Sequence, residues 1–265
     1  MPPTPSILLC AGGDIHGALD RFYADVLAFE AEIGSQFNHV LHVGDFGVWP
    51  DPNRIDRATR SHDGAGDFAA WRAAKHPVPR ATTFIAGNHE DFNFLAQHEG
   101  REVLSGLHFL ASGGSRVIIG GIRVAGIGGC YGPSDYALPT QKLQGGARRH
   151  YTREQAERVG QDGRVDILLL HDAPAGTKLG KRFPSGDVQP YVSQAAGLGD
   201  AVARVKPAIC FFGHHHQRVD VEVAGVRCIG LHAVGRPGNL VAFRLVEGSC
   251  EVVGEWPAQP PAAAE

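Results

Sequence analysis

Short, largely apolar runs recur along the chain, and each is followed, directly or after one or two glycines, by a polar side chain. Ile7–Ala11, Val40–Val43, Thr82–Ala86, Ile167–Leu170 and Ile209–Phe212 are too short for helices and rich in aliphatic residues. Such runs are strand-like. Between the first two, Leu19, Phe22, Val26, Leu27, Phe29 and Ile33 fall near helical spacing, so Ala18 to Ile33 reads as an amphipathic helix. A loop rich in Pro, Asp and Arg (Trp49 to Gly66) leads to a short helix near Asp67–Ala74. Thr152 and Gln155 form a capping box that opens a helix to about Val159. A loop is predicted after Leu170 to about Pro190, followed by a helix over 191–205.

Two stretches change texture. His108–Ala111, Arg116–Ile119 and Ile122–Ile127 are separated by Gly113-Gly114 and Gly120-Gly121. Val219–Val223, Arg227–Ile229, Leu240–Leu245 and Cys250–Val253 are separated by turns at Ala224-Gly225 and Glu247-Gly248 or by longer loops. The first reads as a meander or hairpins and the second as hairpins. Strands interleaved with helices in each half, with hairpins in both, predict an α/β chain: a four-layer α-β-β-α sandwich enclosing two mixed β-sheets. Residues 1–256 are expected to form one domain, and the Pro/Ala-rich segment 257–265 a disordered tail.

Composition narrows the class. With 43% apolar and 20% charged residues among 265, the chain reads as a soluble globular protein. Its 25 basic against 28 acidic residues give a net charge of -3, which argues against strong non-specific binding to nucleic acid. Cys10, Cys130, Cys210, Cys228 and Cys250 are odd in number and far apart, so reduced thiols are expected. Met1 to Ser6 carries no basic residue and the apolar run after it is too short for a signal peptide or a membrane span, so a cytoplasmic location is expected.

The polar ends of the runs carry the chemistry. They read Asp14-Ile15-His16-Gly17, Gly44-Asp45, Gly87-Asn88-His89-Glu90, Leu170-His171-Asp172 and Gly213-His214-His215-His216. Carboxylate, imidazole and carboxamide groups delivered from several strand ends suit a pair of divalent cations, and ligands collect at such ends in α/β sheets. Ligation by N and O without thiolate fits Mn, Fe, Zn, Ni or Co better than Ca, and differs from a structural zinc site. Gly12, Gly13, Gly87 and Gly213 beside these groups are expected where backbone passes close to the metals.

In this order the segments resemble the calcineurin-like metallophosphoesterase superfamily, whose pattern is D-x-H, G-D, G-N-H-[DE], H and G-H-x-H. The resemblance covers about Leu8 to His216. It implies that Asp14, His16 and His216 hold one metal, that Asn88, His171 and His214 hold a second, and that Asp45 bridges both. His89 matches the family's non-ligand histidine, which assists at the scissile phosphate. The implied reaction is hydrolysis of a phosphodiester, or less readily a phosphomonoester, by a metal-bridging hydroxide.

Further stretches resemble the RNA lariat debranching enzymes: Gly44-Asp45-Phe46, Gly87 to Glu90 with Asn93 and Leu95, Gly120 to Gly129, Ser134-Asp135-Tyr136, and Asp166 to Asp172. Those enzymes typically carry Cys where this chain has Asp14. Many superfamily members also read G-D-x-x-D-R, and their second Asp orients the catalytic histidine. Here the string is Gly44-Asp45-Phe46-Gly47-Val48-Trp49, which leaves Glu90 or Asp91 as the candidates for that task.

The remaining candidates concern substrate. Lys178, Lys181 and Arg182, and Arg148 and Arg149, are either solvated loop charges or receptors for a small phosphorylated, nucleotide-like substrate. Tyr131 and Tyr136 either pack or stack on a base. His215, between two ligand positions, should turn away from the metals by alternation. His42 is expected as a hydrogen-bonded core histidine. His232 either approaches the site from the terminal strands or is structural. His39, His62, His76, His98 and His108 read as surface or packing residues. Two competing functions stay open: a binding or scaffold module that has lost catalysis, and a nuclease acting on structured nucleic acid.

Overall fold

The computed structural model describes residues 7–182, 187–246 and 248–257, except the side chains of Lys181 and Arg182. Strand β1 (Leu8–Gly12) feeds helix α1 (Leu19–Ile33), whose buried face is Leu19, Phe22, Tyr23, Val26 and Phe29. Gly34, at φ 72°, ends it in the left-handed region that favours glycine. Then come β2 (His39–His42), α2 (Asp67–Ala74), β3 (Thr82–Phe84), α3 (Phe92–Leu95), β4 (Glu102–Leu104) and β5 (Leu107–Phe109). The next stretch holds β6 (Ser115–Val117), β7 (Arg123–Ile127), α4 (Pro133–Tyr136) and α5 (Arg153–Arg158). Both hydrogen bonds of the Thr152–Gln155 capping box are present at the start of α5. After β8 (Ile167–Leu170) follow β9 (Lys178–Arg182), β10 (Val188–Val192), α6 (Leu198–Val205) and β11 (Ile209–Phe212). The chain closes with β12 (Val219–Val223), β13 (Val226–Gly230), β14 (Leu240–Val246) and β15 (Ser249–Trp256).

These strands form a seven-stranded sheet, β15-β14-β1-β2-β3-β5-β4, a six-stranded sheet, β12-β13-β11-β8-β7-β6, and the separate β9–β10 hairpin. Each large sheet is mixed. Strands β1, β2, β3 and β5 run parallel in one, and β13, β11, β8 and β7 in the other, with antiparallel strands outside them.

Period-two alternation makes the layers. Leu8 and Cys10 of β1 join Phe22, Val26 and Phe29 of α1, while Leu9 and Ala11 point to the other face. In the second sheet, Leu168, Leu170, Cys210 and Phe212 meet α5 and α6, whereas Ile167, Leu169, Ile209 and Phe211 meet Leu9, Leu41 and Phe243 between the sheets. The order is therefore helix, sheet, sheet, helix, with an apolar layer between each pair. Strands buried on both faces have no polar face to alternate, so they read as continuous apolar runs.

Two expectations are corrected. The segment after Leu170 is not a loop to Pro190, because β9 and β10 pair antiparallel over Lys178–Val192 through Arg182–Val188. Nor does a helix fill 191–205. Tyr191 and Val192 belong to the hairpin, and α6 starts only after Gly197, whose φ is 78°. The region from His108 to Ile127 also divides: β5 lies parallel to β3 in the first sheet, and β6 and β7 form a hairpin in the second.

Candidate metal centre

Five loops leave the carboxyl ends of β1, β2, β3, β8 and β11 and converge. Asp14, His16, Asp45 and His216 each offer a ligand atom, all within 4.8 Å of one another. Asp45, His171 and His214 form a second such group, so one carboxylate serves both. The Asn88 carboxamide oxygen lies 2.9 Å from His171 Nε2, on the second side. All seven predicted ligand positions thus come together around Asp45.

The backbone is bent for this purpose. Four of the seven described non-glycine residues with positive φ are His16, Asp45, His214 and His216. Each such turn costs an L-residue roughly 1–2 kcal/mol, and strain of this kind concentrates at functional sites. Gly87 is required by proximity, because a Cβ there would sit 2.0 Å from Asp45 Oδ1. Its neighbours Asn88 and His89 donate their backbone N–H groups to that same oxygen, at 2.7 and 2.8 Å. At Gly213 a Cβ would meet Asp14 Oδ2 at 2.7 Å.

Electron-rich atoms face one another across the centre. His171 donates Nδ1–H to the Val43 carbonyl at 2.9 Å, which leaves Nε2 as a lone pair aimed at Asn88 Oδ1 and, at 3.6 Å, Asp45 Oδ1. His16 and His216 bring their Nε2 atoms to 3.1 Å, with the Asp45 carboxylate 3.9 Å from His16. Burial pushes His16, His171 and His214 down to about 3, so these rings are neutral at neutral pH, with lone pairs free for a metal. Burial, then the neighbouring Asp45, pushes Asp14 well above the usual carboxylate range. Opposed lone pairs and a disfavoured anion are what bound cations relieve, and this donor set fits divalent metals.

His89 stands at the rim. Its Nδ1 meets Asp56 Oδ2 at 2.8 Å, and its ring centroid is 5.6 Å from that of His16. The expectation that Glu90 or Asp91 orients it is corrected. Buried Glu90 accepts Phe46 N at 2.7 Å and Val48 N at 2.6 Å, holding the loop after β2. Asp91 caps α3 through Phe94 N and pairs with Arg54 at 2.9 Å. The acid beside His89 is Asp56, on that same loop.

Outer residues sort in the same way. His62, expected as a surface or packing residue, stacks on His16 with centroids 4.3 Å apart. His42 is buried between Phe22 and Phe46, with Nδ1 accepting Gly44 N. His215 turns to Asp172 and Tyr191. His232 lines a cleft beside His216. Arg149 lines another cleft with Asn88 and Asp56, whereas Arg148 bonds the Leu143 carbonyl and faces a separate cavity. Lys178 is exposed on β9, and the side chains of Lys181 and Arg182 lie outside the described residues. Tyr131 and Tyr136 pack on each other and on Tyr151. Sequence reasoning missed Asp56, beside His89, and two residues that line the cleft next to His216, Tyr191 and Arg236. Only Asp56 carried a signal, as a carboxylate in the loop that follows Gly44-Asp45.

A four-layer sandwich with imidazoles and carboxylates gathered at its strand ends defines a metal-dependent phosphoric ester hydrolase. Residues 9–218 match the family described as calcineurin-like phosphoesterase, and the chain belongs to that family. Among named relatives, the lariat debranching enzyme of Entamoeba histolytica is 26% identical over 93% of this chain and 77% of its own length. The Drosophila melanogaster and Schizosaccharomyces pombe lariat debranching enzymes are each 28% identical over 77% and 80% of this chain. The alignment spans only 42% and 48% of those two proteins. The protein TT1561 of Thermus thermophilus has the same fold, with TM-score 0.54 and 13% identity over 94% of this chain and 99% of its own. So has a putative 5'-nucleotidase from Staphylococcus aureus, with TM-score 0.54 and 14% identity over 94% of this chain and 53% of its own. Among the described residues, no helix is long and apolar enough to cross a membrane.

Proposed function

We propose that this chain hydrolyses phosphodiesters in preference to phosphomonoesters, using two divalent cations. The single observation that carries this reading is the placement of Asp45 in both ligand groups. In it, Asp14, His16 and His216 hold one ion, Asn88, His171 and His214 the other, and Asp45 both. Two such ions supply neutralisation of phosphate oxygens and acidification of a water nucleophile. The protein's own part is positional. Neutral, buried imidazoles present lone pairs without competition from protons. His171 is held in one tautomer by the Val43 carbonyl. Asp56 takes Nδ1 of His89, so the protonated ring offers its Nε2–H to a phosphate oxygen or to the departing alkoxide. Arg149 lines the cleft on the Asn88 side, where Arg54 is already paired with Asp91, and is the cation that meets substrate there.

The relatives' names support a diester over a monoester, while the Asp14 position supports a general phosphoesterase site rather than debranching itself. Five free cysteines fit a reducing compartment, the cytoplasm in this reading, and residues 1–256 act as one unit. The test is turnover of bis-p-nitrophenyl phosphate against p-nitrophenyl phosphate with Mn²⁺, beside metal analysis. Two equivalents of metal with faster diester turnover are expected. Metal-replete protein with no turnover of either ester sinks the proposal.

A further inference from the structure

A cleft of about 680 Å³ opens beside His216, and its lining exceeds what the hydrolytic chemistry needs. Tyr191, His215, Gln217, His232 and Arg236 line it together with Val188, and among the described residues that line it there is no carboxylate. In a chain of net charge -3, that selection favours an anion. Nearby Arg218 is committed to Glu255 and Asp220, whereas exposed Arg236 has no acidic partner among the described residues. The cleft lined by Arg149 contrasts with this one, because Asp56, Glu90 and Asp91 also line it.

One wall of the cleft is fixed in place. The Gln217 carboxamide accepts Gly180 N at 2.8 Å and donates to Gly180 O at 2.7 Å, tying the loop after β11 to β9. His215 has one ring N–H when neutral, and Asp172 Oδ1, at 2.8 Å from Nε2, takes it. Nδ1 then accepts the Tyr191 hydroxyl, which anchors that ring on β10. Asp172 is itself held by Tyr131 N and Ala173 N. An anchored aromatic ring and exposed Val188 thus share a cleft with an uncommitted guanidinium. Base-stacking surface and phosphate receptor together match a nucleoside phosphate.

We propose that this cleft is the subsite for a nucleotide arm of the substrate, with the base against Tyr191 and a further phosphate on Arg236. The inference deepens the phosphodiesterase reading and rests on it for the position of the scissile bond. Calorimetric titration of the Mn²⁺-loaded chain with adenosine 3',5'-bisphosphate tests it. R236Q, a change at an exposed side chain, should weaken binding about tenfold or more, the loss of one charge-assisted contact. R149Q should weaken it less. Equal affinity of R236Q and the unaltered chain, no binding by the unaltered chain, or a loss confined to R149Q each overturns the subsite. Turnover of bis-p-nitrophenyl phosphate by the same preparations reads the hydrolase separately, since its absence leaves the calorimetric comparison decisive for the cleft.

Discussion

The Asp56 carboxylate meets Nδ1 of His89 at 2.8 Å, from the loop that follows Asp45. This hydrogen bond is the leading influence that raises His89 above the ordinary imidazole value, and it outweighs the opposing effect of partial burial. Partial burial works against ionisation of Asp56, yet the same bond holds it down at about 2. The pair is therefore an imidazolium–carboxylate pair at mildly acidic pH, and the ring loses its proton as pH rises through its raised value.

Asp56→Asn should move the alkaline limb of the pH–rate profile to lower pH, because the ring then loses the anion that favours its charged form. At neutral pH the rate should fall about tenfold to a hundredfold, with metal content unchanged. An unshifted limb would remove Asp56 from the role given to it.

Removal of ligands separates from removal of the acid. Asp45→Asn and His214→Ala should lower bound metal and leave no measurable turnover. His89→Ala should keep its metal and lose about 10²–10⁴ in rate. Parallel metal analysis and steady-state kinetics distinguish these classes, and a fully active His89→Ala protein would exclude the residue from the mechanism.

Gly87→Ala is a steric test of the shared carboxylate. The new Cβ would stand 2.0 Å from Asp45 Oδ1 and 2.1 Å from Asp45 N, so the loop or the carboxylate must move. Metal content should drop while the far-UV circular dichroism stays near that of the unaltered chain. Normal metal content in this variant would show that Asp45 need not hold its observed position.

Much of this was legible because the strands are buried on both faces. Runs such as Ile167–Leu170 and Ile209–Phe212 have no polar positions to blur them, and His171 follows the first directly and His214 the second after Gly213. The β9–β10 hairpin was hidden for the opposite reason. Lys178, Gln189 and Pro190 are exposed on it, so neither alternation nor an apolar run marks the strands. Asp56 was hidden because its meeting with His89 depends on how the Pro-rich loop folds back, which spacing along the chain does not encode. The stacking of His62 on His16 depends on that same loop.

The last prediction concerns stability without metal. His16, His171 and His214 have values of about 3 in the folded chain, below the ordinary imidazole value, chiefly through burial. Below about pH 6.5 the unfolded chain therefore binds more protons than the folded one, and stability falls as pH drops toward 3. Asp14 has the opposite sign. Its folded value is raised, so the folded chain holds a proton that the unfolded chain has released, and stability declines as pH climbs past the ordinary carboxylate value. At neutral pH the histidines contribute little, and buried Asp14 is the group whose charged form the fold disfavours. Cations relieve that penalty, and Asp14 must lose its proton to hold them, so their stabilising effect should grow from pH 5 to pH 8. At a free metal concentration near 100 times Kd, the gain should be about 2.7 kcal/mol for each ion bound. Urea unfolding with Mn²⁺ and with EDTA across that range checks it, and a metal-induced gain that shrinks as pH rises contradicts this account of the centre.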